Sequence, residues 1–162
     1  SLVFFFSLLI STFSFAQKKV TSPAETVTGK INGATITIKY GSPSVKGRAI
    51  WGALVPYDKV WRAGANDATT FETDKTITIE GKQLPAGKYS FFVIPNENES
   101  IIIFNKEAKQ WGSYDYKASS DQLRVTVKNE NGDALVEKLE YKIMETRIEL
   151  LWEKLIISFE VK

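Results

Sequence analysis

The densest concentration of chemically able side chains is Trp61-Arg62 followed by Gly64-Ala65-Asn66-Asp67. Indole faces stack on sugars and other flat ligands, a guanidinium grips anions or hydroxyls, and an Asn–Asp pair sets orientation through directional hydrogen bonds. Arg48, Trp51 and Tyr57 stand in the same stretch, and a second aromatic patch runs from Trp111 through Tyr114 to Tyr116. The candidate ligand-binding set is therefore Arg48, Trp51, Tyr57, Trp61, Arg62, Asn66 and Asp67, joined by Trp111 and Tyr114. The competing reading is packing. Trp51, Trp61 and Trp111 would then plug the ends of a core, with Arg62 ion-paired to Asp58 or Asp67.

Other chemistries are narrower. The chain has no histidine and no cysteine. That excludes a Ser-His-Asp triad, a thiolate nucleophile, a His- or Cys-ligated zinc site, an iron–sulfur cluster and a disulfide. Asp58, Asp67, Glu72, Asp74 and Asp115 supply carboxylates for a hydrolase, which needs two of them at a set separation. Asn66-Asp67 and Asp115 offer oxygen ligands, without the spacing of a calcium loop. Ser44 and Lys46 are one residue closer than an S-x-x-K dyad requires. No phosphate-cradling glycine motif occurs, so no nucleotide is implied, and no cofactor or metal is expected. A net charge of +2 with scattered Lys and Arg argues against nucleic acid as a partner.

These side chains need a frame. Apolar residues at 43% and charged residues at 25% describe an ordinary globular domain, and the length suits one domain with a real core. Asn32-Gly33 between two alternating runs is a hairpin signal. Further short apolar runs follow at 76–80, 88–94, 100–104, 123–127, 134–143, 148–152 and 155–161, with a turn expected at Asn129-Glu130-Asn131-Gly132. About nine mainly antiparallel strands predict an all-β sandwich or barrel, a sandwich being the expectation. The stretch 134–146 has a composition that also suits a helix, but its neighbours argue for a strand. Residues 41–75 lack strand periodicity and read as a long functional loop. It is expected to fold over one end of the sandwich and bring Arg48, Trp61, Arg62 and Asn66 together.

Residues 1–16 carry no charge and include Phe4-Phe5-Phe6 and Leu8-Leu9-Ile10. The run is short for a bilayer span and ends in Ser14-Phe15-Ala16, which fits a secretory signal cleaved near Ala16-Gln17. Residues 17–25 read as a flexible leader and 26–162 as a single domain. The expected product is exported, periplasmic or secreted, with no stable membrane insertion after cleavage.

Several motifs resemble one family. They are Tyr40-Gly41-Ser42-Pro43 with Lys46-Gly47-Arg48, then Trp51-Gly52, Val55-Pro56-Tyr57 and Val60-Trp61-Arg62-Ala63-Gly64-Ala65-Asn66. Leu84-Pro85-Ala86-Gly87-Lys88-Tyr89-Ser90 and Trp152-Glu153-Lys154 fit the same pattern. Over 26–162 the chain is similar to the domain of unknown function 2911. That resemblance implies export from Bacteroidota-type bacteria and carries no established activity. Its signature falls on the 41–66 stretch, where the candidate site lies. The leading expectation is a non-catalytic binding module for a carbohydrate or a small polar or anionic ligand. The alternatives are a carboxylate-dependent hydrolase using Asp58 or Asp67, and a structural, envelope-associated interaction domain. The oligomeric state is not legible in the sequence.

Overall fold

In the computed structural model, residues 21–162 are described. The expected signal segment 1–16 and the expected leader residues 17–20 lie outside them. Asn32 and Gly33 both take left-handed φ, 48° and 78°, as a type I′ turn demands. They join β1 (Ala24–Ile31) to β2 (Ala34–Gly41) with Ile31 opposite Ala34. The first strand thus begins at Ala24, so the last residues of the expected leader belong to the sheet.

The remaining strands are β3 (Thr70–Thr73), β4 (Ile77–Ile79), β5 (Lys82–Leu84), β6 (Gly87–Pro95), β7 (Glu99–Asn105), β8 (Asp121–Ile143) and β9 (Arg147–Glu160). Seven of them form one antiparallel sheet in the order β1-β2-β3-β6-β7-β8-β9, nearly closed into a barrel, while β4 and β5 form a small second sheet. The fold is all-β, of the sandwich and barrel class, as expected. At the seam, Gly29 of β1 lies so close to β8 that a Cβ there would sit 2.7 Å from Ile143 Cγ2.

The inward faces of the strands bury Ile36, Ile38, Phe71, Phe91, Phe104, Ile157 and Phe159 in one core. The opposite face of β6 and β7 buries Phe92 and Ile103 in a smaller cluster with Ala68, flanked by Val60 and Tyr116. Both faces of these two strands are therefore covered. That explains why their sequences are near-continuous apolar runs instead of alternating ones.

Two expectations change. The 41–75 loop ends early, because Thr70–Thr73 pairs with both β2 and β6. Its burial alternates through Phe71 and Thr73, and a single apolar side chain in four residues leaves almost no periodicity to read. The turn expected at 129–132 does not reverse the chain. β8 runs straight through it, and its register with β9 shifts between Asn131 and Val136 and again between Val136 and Glu140. Opposite the irregularity, Glu153 takes a φ of 57°. The Asn-Gly signal here marks a bulge.

Candidate functional site

The connection from β2 to β3, residues 42–69, is fastened at several places along its length. Ser42 donates its backbone N–H to Pro23 O at 2.8 Å and its hydroxyl to Leu139 O at 2.7 Å. Val45 N–H donates to Glu137 O, and Leu139 N–H returns a bond to Pro43 O. Trp61 and Val93 exchange backbone bonds of 2.8 and 2.9 Å. Asp67 bridges to Trp111. Between these ties Ala63 is held at φ 54°, its carbonyl accepting from Tyr141 Oη at 2.7 Å and Thr69 Oγ1 at 2.9 Å. Burial pushes the Tyr141 phenol well above its ordinary pKa, so it stays a donor there.

These ties gather three tryptophans. Trp61 and Trp152 stack with ring centres 6.1 Å apart and planes at 14°. Trp51 meets them edge-on at 5.5 and 6.0 Å. Trp61 and Trp152 are 8% and 1% exposed. They form part of the wall of a cavity of about 380 Å³ that Lys46, Arg48, Arg62 and Asn66 also line. Among the described residues no aspartate or glutamate lines it. Among the described residues, none of the three cations forms an ion pair. Arg48 is positioned by Nε donating to Val45 O at 3.0 Å and Nη2 to Ser44 O at 2.5 Å.

Three buried donors in this neighbourhood have no partner among the described residues: Trp51 Nε1, Trp152 Nε1 and Arg62 Nε. Each such group costs about 1–3 kcal/mol when left unmet. Backbone strain concentrates here too. Lys46 and Asn66 on the wall, Ala63 beside Arg62, and Glu153 beside Trp152 all have positive φ without being glycine. Such residues cluster where a ligand site over-determines the backbone.

Four of the nine candidate residues, Arg48, Trp61, Arg62 and Asn66, therefore line one cavity, and Trp51 backs its stacked pair. Tyr57 lies elsewhere, its ring covering Gly52, where a Cβ would approach it to 2.8 Å. Asp67 faces a second cavity of about 290 Å³ with Glu25, Lys39 and Lys88. Trp111 and Tyr114 are 60% and 86% exposed on the neighbouring loop, so Trp111 plugs no core. Arg62 is paired with neither Asp58, which accepts from Asn96 Nδ2 at 2.8 Å, nor Asp67. The candidate set omitted Trp152 and Lys46. Trp152 sits in a strand pattern that reads as core, and Lys46 draws notice only through its spacing to Ser44 and in Lys46-Gly47-Arg48. Among the described residues no group of three or more acids suits a metal, and no helix is long and apolar enough to cross a membrane.

No curated protein and no solved structure matches this chain. The family model described as a protein of unknown function, DUF2911, matches residues 22–161, the whole of the fold that carries the cavity, and the chain belongs to that family.

Proposed function

We propose that the protein is a non-catalytic binding module whose cavity between Trp61, Trp152 and Arg62 takes a small anionic or polyhydroxylated ligand, such as a sugar acid. One observation carries the reading: three cations that form no ion pair among the described residues share a wall with stacked indoles, in a neighbourhood of unpartnered buried donors, the nearest carboxylate on record being Glu137, which accepts from the Lys46 backbone N–H at 2.9 Å. A cationic wall favours an anion, and buried N–H groups favour an acceptor-rich one. Carboxylate-dependent hydrolysis has less support, because Asp58 is held by Asn96 and neither it nor Asp67 lines this cavity. The near-complete burial of Trp61 and Trp152 favours a packing role as the second reading.

A thermal-shift series with glucuronate, galacturonate, citrate, phosphate and glucose separates the two. A ligand at a hundred times its Kd stabilises the native state by about 2.7 kcal/mol, a shift of several degrees. We expect an anion to raise Tm, with the rise lost in Arg62→Ala while the unliganded Tm moves little. No shift with any anion, together with a Tm lowered by many degrees in Arg62→Ala, would sink the binding reading and leave packing.

Export is part of the proposal. Its support is the uncharged apolar run 1–16 ending in small residues at 14 and 16. N-terminal sequencing of the protein from its producing cell is expected to start at Gln17; a chain that retains 1–16 would refute cleavage.

A further inference from the structure

The tryptophan cavity shares part of its wall with a second depression, and that one with a third. Ala65 and Asn66 line both it and the second cavity, of about 290 Å³. Asp67, Ala68, Thr70 and Lys88 line both the second cavity and a third, of about 340 Å³, that reaches Lys109 and Gln110. The segment 65–70 is thus a common wall to three depressions in a row.

Six cations stand along this trough: Lys46, Arg48 and Arg62 at one end, Lys39 and Lys88 in the middle, Lys109 at the other end. None forms an ion pair among the described residues. Among the described residues the only acids lining it are Glu25 and Asp67, with Glu72 cross-strand from Lys88 and Glu137 on the Lys46 backbone N–H at the margin. Gln110, 9% exposed, lines the far end and has a buried Oε1 without a partner, while its Nε2 donates to Ser90 Oγ, Asn105 Oδ1 and Glu107 O. Lys109, next to it in sequence, is exposed and open to an anion.

The trough crosses strands on the face of the sheet. Thr26, Lys39, Thr70 and Ser90 are consecutive partners across β1, β2, β3 and β6. β2, β3 and β6 are each hydrogen-bonded on both sides, β1 being the edge of the sheet, so an extended peptide cannot add as a further strand across the middle of the trough. Recognition must come from side chains, which suits a chain of rings carrying hydroxyls and carboxylates. Asp67 connects the trough wall to Trp111, whose exposed indole stands next to Gly112 and the exposed Tyr114 ring. Such faces stack on the C–H side of a sugar. Glu25 and Asp67 accept from hydroxyls but would repel closely spaced phosphates, which disfavours a nucleic acid.

We infer that the ligand is a linear acidic oligosaccharide, one sugar carboxylate seated by Arg62 and the chain running over Asn66 and Asp67 past Lys39 and Lys88 toward Gln110. This rests on the binding reading of the tryptophan cavity and extends it.

Calorimetry with galacturonate, a galacturonate pentamer, a neutral glucose pentamer and a single-stranded oligonucleotide tests it. The pentamer is expected to bind at least about tenfold tighter than the monomer, since each added subsite contributes without a new loss of translational freedom. Its affinity should fall as salt rises. Lys39→Ala with Lys88→Ala, both exposed positions, should weaken the pentamer by about tenfold and leave the monomer unchanged, about threefold for each exposed charge contact. Arg62→Ala should weaken both. A pentamer no tighter than the monomer, or indifferent to the two lysines, overturns the extended trough while monomer binding keeps the cavity reading. A neutral pentamer or an oligonucleotide that binds as well overturns the ligand class. Binding of neither galacturonate species overturns the oligosaccharide, and the separate citrate and phosphate series then decides the cavity alone.

Discussion

Gly41→Ala is expected to lower stability by at least about 3 kcal/mol, a drop in Tm on the order of ten degrees, and to collapse the tryptophan cavity with it. The cause is a backbone-on-backbone approach. β2 ends at Gly41, whose carbonyl accepts from Ala65 N–H at 3.1 Å. A Cβ at Gly41 would overlap the Ala65 carbonyl oxygen and lie 2.9 Å from its carbon. Backbone cannot swing aside as the tip of a side chain can. Gly64 faces the same contact from the other side, where a Cβ would sit 2.9 Å from both Gly41 O and Thr69 Oγ1. Pushing the two segments apart breaks the Ala65 bond and displaces Arg62 and Asn66, which stand on either side of it. Gly132→Ala is the control. Its nearest neighbour would be Ile156 Cδ1 at 3.4 Å, and its φ is not left-handed, so the change should stay within about 0.5 kcal/mol. Equal Tm values for the two variants, read by calorimetry, would contradict the close approach.

That contact also shows where sequence reading reaches and where it stops. Strands whose side chains alternate, such as β2 with Ile36 and Ile38 inward, are legible from period two alone. So is the Asn32-Gly33 turn, because few other pairs tolerate two left-handed residues. The same chemistry misleads at Asn131-Gly132, since a glycine signals backbone freedom and only pairing partners decide whether a turn or a bulge uses it. β3 escapes because its partners, β2 and β6, supply the order that its own four residues do not encode. In the site, Trp61, Arg62 and Asn66 are visible as unusual types clustered in one stretch. Trp152 comes from a strand far away in sequence, and nothing local distinguishes a core indole from one that walls a cavity. The packing reading and the binding reading each keep part of the outcome. The indoles of Trp61 and Trp152 are buried, as packing requires, whereas Arg62 finds no carboxylate among the described residues and its Nε stays unpartnered there.

Trp152 is the residue where those two readings give different numbers. Trp152→Ala removes one of the largest fully buried side chains in the protein and the stacking partner of Trp61. It should cost about 3–5 kcal/mol, as for other buried aromatics reduced to alanine. Trp152→Phe is the sharper test. Phenylalanine keeps a ring in the stack and gives up part of the buried area, a loss of about 1–2 kcal/mol. It also deletes the Nε1 donor that the ligand-free protein leaves unmet, and relieving that burial returns about 1–3 kcal/mol. The two contributions oppose each other, so the unliganded Tm should move by only a few degrees. Ligand affinity behaves differently. An acceptor bonded to this indole loses its partner, and a single hydrogen bond of about 1.4 kcal/mol corresponds to a tenfold rise in Kd. The expected signature is therefore a near-native Tm with about tenfold weaker anion binding. A Tm as low as that of the alanine variant would mean that the indole N–H is already satisfied in the free protein by a buried water. Unchanged affinity at a near-native Tm would mean that the ligand is held by the cations of the wall alone, with the tryptophans shaping the cavity without donating to its occupant.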